Sequence, residues 1–379
     1  MRVLQICDTL ATSNGGPSRN AFELNRALNA TGAVRVDLFW MHGDRDSSVL
    51  DDLSGSESRD DRARPRQLKW RSRVSDSETV SWTTVLRVLR MSDAVIVHGF
   101  YLAWIPLVLA AAFLLRKPVI LMPHGALTSY ETSRKSAKKS WFRKAFRPLV
   151  KRTVRALAVG SSTEAAEAAT VLSDVPATVC GVGTSMVGPP RLRDVSAPLH
   201  LLTLGRLAEK KRIDVAILVV GELKSMGIDA QLVIAGAGGE LAKLKRLTEI
   251  KSLENQVSFV GEVTGSAKRR VFESADVFIL PSEDENFGIV VAEALAHGVP
   301  VVASEHVQAA SVASYSPAVK LAASPDAVEI AELVRAFSTE AQPMLRTAAF
   351  DVASAEFGWE AVARRWVTLI EKTTGVHVA

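Results

Sequence analysis

The chain has 379 residues, of which 47% are hydrophobic and 23% are charged, and it carries a net charge of +5. This length is too great for one ordinary core and suits two domains of roughly 180 residues each, and the composition excludes a disordered chain. Cys7 and Cys180 are the only cysteines and have neither a close partner nor metal-ligand spacing. We therefore expect no disulfide framework, no zinc site and a reducing cytosol.

Short apolar strands alternate with helices in the first half of the chain, which is the pattern of a parallel, doubly wound sheet. The predicted strands lie at 2–7, 35–40, 94–97, 119–122 and 156–159, and the predicted helices at 17–29, 102–115 and 135–153. The first strand lacks the features of a signal peptide, which favours a cytoplasmic protein. The helix at 102–115 is shorter than the ~20 residues that span a bilayer, so we expect it to pack on the sheet.

A second series of strands and helices follows a stretch rich in glycine and proline. Its predicted strands lie at 200–204, 231–235, 257–260, 277–280 and 299–303, and an amphipathic helix at 359–373 ends the chain. We predict a first domain at 1–187, a linker at 188–198 and a second domain at 199–356. The polar stretch at 47–75 is predicted to be a loop.

Two carboxylates, Glu285 and Glu293, stand eight positions apart across a predicted loop-to-helix junction. The buried strand at 277–280 places Glu285 at its carboxyl end, and Glu293 follows about two turns inside the helix. Phe287 and Gly288 open that helix, whose free backbone N–H groups can hold a phosphate or sugar hydroxyls. Because Glu293 has apolar neighbours, we expect its carboxylate to have a partner or a ligand.

Two cations follow the first strand of the second half. Arg206 and Lys211 are five positions apart on a loop at the carboxyl end of that strand, where open α/β sheets bind ligands. Together they can clamp a diphosphate, the arginine through a planar fork and the lysine as a point charge.

These two segments together resemble the Gly-Arg-x4-Lys and Glu-x7-Glu motifs of retaining glycosyltransferases of family 4. The resemblance implies an α/β protein of the GT-B fold, with two facing Rossmann-like domains and a cleft between them. It also implies that the second domain holds a nucleotide diphosphate sugar and that the terminal helix, 357–376, crosses back to the first domain.

Carried onto this sequence, the resemblance implies a role for each motif residue. Arg206 and Lys211 would neutralise the leaving diphosphate, Glu285 would orient the sugar and Glu293 would bind ribose hydroxyls. Further donor contacts are implied through the backbone N–H groups of Asn286, Phe287 and Gly288. Arg212 stands where glycine is common in the family, which is a mild departure.

Other glycines and one more acid match the family less specifically. Gly236 lies in a tight strand-to-helix turn that is either near the nucleoside or purely conformational. Glu262 belongs to a segment that commonly lines the base pocket. Gly15 and Gly16 match the family's Gly-Gly loop, although a plain turn explains them nearly as well.

Two histidines, His98 and His124, each follow an apolar strand and precede a glycine. His124 resembles the family's cleft histidine that contacts the transferred sugar, whereas His98 is either structural or near the acceptor. We expect no metal site, because the other histidines form no constellation, and no cofactor beside the sugar nucleotide. The segment 305–310 lacks the family's Gly-rich turn, so contacts there are not transferred and loss of activity stays an alternative.

Ten basic residues and no acidic one lie between 134 and 155, interleaved with Trp141, Phe142 and Phe146. Such a basic amphipathic helix suits an anionic membrane surface, as at the inner face of the cell membrane. The alternative is a solvated helix that packs its aromatic side on its own domain. No recognised motif supports a nucleic-acid partner.

The resemblance implies a glycosyltransferase that moves a sugar from a nucleotide diphosphate sugar to an acceptor hydroxyl with retention, and the basic helix adds a surface polysaccharide or a lipid-linked glycan as the expected product. The paired carboxylates alone would also fit a glycosidase, but the position of Glu293 inside a helix and the cationic clamp disfavour it. A sugar-nucleotide epimerase and a non-catalytic sugar-nucleotide-binding protein stay open as alternatives.

Overall fold

The structure, a computed structural model, describes residues 1–10, 16–41, 66–68, 79–128, 136–190, 198–285, 287–339 and 342–377. The chain divides into two units, which we call unit 1 (Met1–Gly183 with Trp359–Ala379) and unit 2 (Thr184–Gly358). The first boundary falls a few residues before the one that we placed at 187.

Unit 1 is built on a parallel sheet whose strands are almost continuously apolar, as expected when both faces are covered. Its strands are β1 (Arg2–Cys7), β2 (Arg35–Trp40), β3 (Arg66–Leu68), β4 (Thr79–Val80), β5 (Ala94–His98), β6 (Val119–Met122), β7 (Val154–Val159) and β8 (Ala177–Val179). Its first five helices are α1 (Gly16–Ala30), α2 (Trp82–Met91), α3 (Ile105–Leu114), α4 (Ser136–Thr153) and α5 (Ser162–Val171). The strand order is β4-β3-β2-β1-β5-β6-β7-β8.

Alternate residues of each strand face opposite sides of this sheet. Leu4 and Ile6 pack with buried residues of α2 and α3, whereas Val3 packs with Leu24 of α1 and with the C-terminal helix. In the described part of the chain, no helix combines the length and the apolar character that a membrane crossing needs. Helix α3 instead buries one side against the sheet, as predicted.

Unit 2 contains a second parallel sheet, again with a helix after almost every strand. Its strands are β9 (Leu199–Leu204), β10 (Ala230–Ala235), β11 (Val257–Gly261), β12 (Val277–Leu280), β13 (Val301–Ser304) and β14 (Val319–Ala322). Its helices are a 3-10 turn (Glu209–Lys211), α6 (Ile213–Ser225), α7 (Leu241–Ile250), α8 (Gly265–Ser274), α9 (Ile289–Ala296), α10 (Gln308–Val312), α11 (Ala327–Thr339) and α12 (Gln342–Glu356). The strand order is β11-β10-β9-β12-β13-β14, so β9 and β12 are neighbours in the centre of the sheet. The strands that follow β9 lie toward one edge, and the strands that follow β12 lie toward the other edge. The carboxyl ends of such strands are where open α/β sheets bind ligands.

The last helix, α13 (Trp359–Thr374), belongs to unit 1. Trp366 of α13 is fully buried in the core formed with α1 and the sheet. A glycine is required at position 183, because a Cβ there would overlap the ring of Trp359. Part of the loop prediction at 47–75 is wrong, since β3 extends the sheet; the remainder of that stretch lies outside the described residues.

A buried arginine ties α12 to the sheet of unit 2. Arg346 is 1% exposed, and its Nη2 donates to the carbonyl of Ala275 at 2.8 Å and to Oδ1 of Asp276 at 3.2 Å. The other oxygen of Asp276 accepts the backbone N–H of His200 at the start of β9. The pair therefore joins α12 to strands β9 and β12.

Replacing Arg346 with methionine should lower the free energy of unfolding by about 3 kcal/mol, because it leaves the buried Asp276 carboxylate without its cation. Urea unfolding of the full chain measures this loss. The matched control is Arg335→Met, which removes only an exposed pair with Glu332 and should cost about 0.5 kcal/mol or less. Equal losses in the two variants would contradict the assignment.

Candidate active site

The loops that follow β9 and β12 are joined directly to each other. The backbone N–H of Glu283 donates to the carbonyl of Lys210 at 2.9 Å. Three ion pairs connect consecutive side chains of the two loops: Lys210 with Asp284, Lys211 with Glu285 and Arg212 with Glu283. We call this set the loop clasp.

The central pair of the loop clasp is the most buried of the three. The side chains of Lys211 and Glu285 are only 15% and 17% exposed, whereas Lys210 and Asp284, 3.0 Å apart, are 39% and 49% exposed. Surface pairs contribute little to stability, because water solvates both partners well. The Lys211–Glu285 pair is therefore the pair of the loop clasp that water screens least.

The charge of Lys211 is unusually easy to remove. Burial and the neighbouring positive charges of Lys210 and Arg206 lower the pKa of Lys211 from 10.5 to about 8, while Asp284 raises it. An anion arriving beside Lys211 would favour the charged form and raise the pKa again. Arg206 itself is exposed and forms no ion pair with a carboxylate of another described residue.

Arg212, the departure from the family pattern, stands in the left-handed backbone region with a φ of 48°. Glycine adopts this conformation most easily, which is the physical reason for its frequency in the family. Here the guanidinium contacts Asp214 at 3.1 Å and Glu283 at 2.5 Å. These contacts offset part of the backbone strain and hold the junction between the 3-10 turn and α6.

The start of α9 fits closely against the segment after β13. Glu285 forms a β-bridge with Val307, and the carbonyl of Phe287 accepts the N–H of Ala309 at 2.7 Å. Gly288 has a φ of 83°, and a Cβ there would lie 2.6 Å from the side chain of Val307. The segment 305–310 therefore supports the acidic loop even though it lacks a glycine-rich turn.

Glu293 has the partner that its apolar surroundings led us to expect. Lys268 of α8 donates to its Oε1 at 2.7 Å, and the Glu293 side chain is 14% exposed. Its Oε2 is buried and accepts no hydrogen bond from another described residue. One carboxylate oxygen is thus held while the other is available to a hydroxyl donor. Sequence reasoning missed Lys268, which lies in a basic run without a distinguishing pattern.

Gly236 supports the loop that carries Arg206. Its φ is 140°, and a Cβ at this position would overlap the carbonyl of Gly205. The N–H of Gly236 also donates to the carbonyl of Gly261, next to the exposed Glu262, at 2.7 Å. The close approach of the two backbones therefore supports a conformational role for Gly236. The residue follows β10, at the same end of the sheet as the loop clasp.

In unit 1, the histidines that end β5 and follow β6 are hydrogen-bonded to each other. Nδ1 of His98 lies 2.8 Å from Nε2 of His124. Burial and His124 lower the pKa of His98 well below 6.5, and burial lowers the pKa of His124 to about 4. Both imidazoles are therefore neutral near pH 7. His124 has a φ of 51°, which is uncommon outside glycine and recurs at functional sites.

A buried carboxylate that sequence reasoning missed holds the turn that carries His124. Glu164 of α5 accepts the backbone N–H groups of Gly125 at 2.6 Å and Gly160 at 2.8 Å. Burial raises the pKa of Glu164, and the two N–H donors lower it. Position 164 lies far from 125 along the chain, and no sequence spacing indicated the contact.

The predicted site residues thus fall into two groups. The structure brings Arg206, Lys211 and Glu285 together. It places Gly236 and Glu262 directly after β10 and β11, Phe287 and Gly288 directly before α9, and Glu293 within α9. His124 lies in unit 1, where Gly16 is the first residue of α1. Gly15 and Asn286 lie outside the described residues. Among the described residues, no group of three or more His, Cys, Asp and Glu side chains could hold a metal ion.

Two protein-family models match the chain, one in each half. Residues 14–179 match the model described as Glycosyltransferase Family 4, and residues 193–347 match the model described as Glycosyl transferases group 1. The second match includes the loop clasp and Glu293.

Curated relatives share sequence with part of the chain. The putative colanic acid biosynthesis glycosyltransferase WcaL of Escherichia coli is 28% identical over 201 residues, covering 50% of this chain and 49% of the relative. The amylovoran biosynthesis glycosyltransferase AmsK of Erwinia amylovora is 37% identical over 123 residues, covering 31% of this chain and 30% of the relative. The matches thus span about half the length of these relatives or less.

Solved structures share the fold over nearly the whole chain. HepE of Anabaena, solved in complex with UDP, superposes with a TM-score of 0.71 at 15% identity and covers 98% of this chain and 100% of HepE. The two parallel sheets and their helices therefore form the α/β GT-B fold, as predicted.

The lowered pKa of Lys211 can be measured by nuclear magnetic resonance of 13C-dimethylated lysines. One resonance should titrate near pH 8, disappear in Lys211→Arg and move to a higher midpoint in Lys210→Gln, because the latter removes a neighbouring positive charge. A Lys211 midpoint near ~10.4, the usual value for a lysine, would refute the electrostatic description of the site.

Proposed function

The chain belongs to the glycosyltransferases of family 4 and group 1, and on that premise we propose that it transfers a sugar from a nucleoside-diphosphate sugar to an acceptor hydroxyl. The observation that carries the proposal is the position of Arg206, Lys211 and Glu285 at the carboxyl ends of two neighbouring parallel strands. The UDP bound to HepE, a structure of the same fold, supports a nucleotide donor.

In this proposal the diphosphate binds between Arg206 and Lys211. It competes with Glu285 for the Lys211 ammonium, and the phosphate raises the pKa of that ammonium so that it stays charged. Glu285, released from its cation, accepts hydrogen bonds from the sugar hydroxyls. The two cations stabilise the negative charge that grows on the leaving diphosphate as the bond to the sugar breaks.

The nucleoside end of the donor lies near α9 in the same proposal. Oε2 of Glu293 accepts hydroxyl protons of the ribose, while Lys268 keeps Oε1 and the carboxylate charge in place. Gly288 and Phe287 begin the helix that positions Glu293 and offer backbone N–H groups to the donor.

We extend the proposal to stereochemistry, cofactors and products. The Glu285–Glu293 spacing, as in family 4, supports transfer with retention at the anomeric carbon. Because two cations already face the phosphates, turnover needs neither a metal ion nor a cofactor. The names of WcaL and AmsK, which refer to colanic acid and amylovoran, support a surface polysaccharide or a lipid-linked glycan as the product.

Turnover is tested by the release of free nucleoside diphosphate from a panel of nucleotide sugars, with bacterial lipid extract as acceptor and with EDTA present. The wild-type chain should release it only when donor and acceptor are both present. Arg206→Ala and Lys211→Ala should each lower kcat/KM, because each removes a charge that stabilises the leaving group. The loss should correspond to about 2–4 kcal/mol of activation free energy.

Lys243→Ala, which removes an exposed lysine of α7, is the control and should turn over like the wild type. Donor binding without release would point to a binding protein, and unchanged kinetics in both clamp variants would remove the clamp from the mechanism. A product whose anomeric configuration is opposite to that of the donor would refute retention.

We also propose that α4 brings the enzyme to an anionic membrane, at the cytoplasmic face of the cell membrane. Trp141 is 67% exposed, and Lys138, Lys144 and Arg152 are exposed on the same side, within about a third of the helix circumference. The neighbouring helix α3 exposes Leu114 to 78%. Cations beside exposed apolar groups suit a lipid headgroup region.

Several other residues of α4 have partners within unit 1, which limits the membrane proposal to part of the helix. Phe142 packs against the ring of Tyr101 with centroids 5.8 Å apart. Arg147 and Lys151 both lie 3.4 Å from Asp174, an acid outside the helix. The membrane-binding surface is therefore the exposed side of α4 rather than all ten cations and every aromatic ring of the segment 134–155.

The triple variant Lys138→Glu, Lys144→Glu and Arg152→Glu should lose co-sedimentation with vesicles of anionic phospholipid, because each basic residue contributes about 1 kcal/mol near such a surface. Added salt should release the wild type. Arg246→Glu with Lys251→Glu, on exposed parts of unit 2, is the control. Wild-type protein that ignores anionic vesicles at low salt would contradict the proposal.

A further inference from the structure

A single amide lies within the otherwise apolar interior of strand β1. Gln5 is fully buried, although its neighbours in the strand are Leu4 and Ile6. Its Nε2 lies 2.8 Å from the carbonyl of Ala21 and 2.8 Å from Nε2 of His98. Burying an amide costs free energy unless its hydrogen bonds are made, and these two contacts satisfy both N–H groups of Gln5.

The contact with Ala21 fixes the orientation of the Gln5 amide. A backbone carbonyl only accepts hydrogen bonds, so the atom of Gln5 that faces it must be the NH2 nitrogen. The opposite orientation would place two oxygens against each other. The Gln5 amide therefore donates one proton to Ala21 and the other to His98. Its Oε1 is buried and has no hydrogen-bond partner among the described residues, so the donor contacts set its orientation.

The donor from Gln5 also determines which ring nitrogens of His98 and His124 carry a proton. Nε2 of His98 must accept from Gln5, so a neutral His98 carries its proton on Nδ1 and donates it to Nε2 of His124. The ring centroids lie 5.0 Å apart with planes at 22°, so the two nitrogens meet nearly in the plane of both rings. His124 then carries its own proton on Nδ1.

We propose that Gln5 is a positioning residue: through His98 it fixes the tautomer of His124, so that the turn at His124 presents an Nδ1–H donor to an oxygen of a bound sugar. Nδ1 of His124 has no hydrogen-bond partner among the described residues. Its turn is held by Glu164 and a strained backbone. The proposed transfer reaction enters this inference only in naming the ligand group.

The tautomers can be read from two-bond correlation spectra of the chain labelled with 15N-histidine, because protonated and unprotonated ring nitrogens resonate in separate regions. In the wild type, His98 and His124 should both carry the proton on Nδ1 and leave Nε2 unprotonated. This spectrum needs no variant, and protonated Nε2 on either ring would overturn the proposal.

Gln5→Leu removes the donor that selects the His98 tautomer, so both rings should become mixtures of the two tautomers. His200, which contacts Asp276 in unit 2, should keep its shifts, and cooperative urea unfolding of the variant is the control for an intact unit 1. An unchanged tautomer of His124 in a folded Gln5→Leu chain would also overturn the proposal.

Kinetics separate this inference from the proposed function. In Gln5→Leu, kcat should fall in proportion to the fraction of His124 that has lost its Nδ1 proton, about twofold for an equal mixture of the two tautomers. The Kd for UDP or GDP should stay unchanged, because the proposed phosphate contacts lie in unit 2. If the wild type lacks transferase activity, the proposed function fails while the tautomer result stands. Normal kcat with mixed tautomers would show that the His124 donor is not used.

Discussion

The ion pair between Lys211 and Glu285 is the interaction on which the candidate active site depends. It joins the loops after β9 and β12. These two strands are neighbours in the centre of the sheet, with β10 and β11 on one side of them and β13 and β14 on the other. Both side chains are largely buried, so neither can be rearranged without a replacement charge. The more exposed pairs, Lys210 with Asp284 and Arg212 with Glu283, join the same two loops. The left-handed backbone conformation of Arg212 connects the 3-10 turn to α6.

In the proposed function, this arrangement makes the binding of the donor diphosphate depend on the charge of Lys211. Burial and the cationic neighbours Lys210 and Arg206 lower the pKa of Lys211 to about 8, so its ammonium loses the proton more easily than that of an ordinary lysine. A diphosphate is a stronger counterion than one carboxylate and would take over the ammonium, leaving Glu285 to the sugar. Glu293 offers a similar arrangement, with one oxygen held by Lys268 and the other available.

Sequence reasoning predicted the positions of residues that lie in short segments next to visible strands. Arg206, Lys211 and Glu285 each follow a strand whose apolar run is visible, and carboxyl ends of parallel strands meet at one edge. The contacts of Lys268 and Glu164 escaped it, because each joins positions distant along the chain. Strands of two or three residues, such as β3 and β4, are too short to show a period. Gln5 was also missed, although an amide inside an apolar strand is visible in the sequence itself.

Calorimetric titration with UDP and GDP at pH 8.5, in buffers of different ionisation enthalpy, tests the role of Lys211 most directly. At this pH the diphosphate is already ionised, whereas Lys211, with a pKa of about 8, has lost most of its charge. The account predicts that the binding nucleotide draws about three-quarters of a proton into the complex, as the Lys211 pKa returns toward ~10.4, and that Lys211→Arg takes up none. Binding by the wild type without proton uptake, or equal uptake by Lys211→Arg, would contradict it.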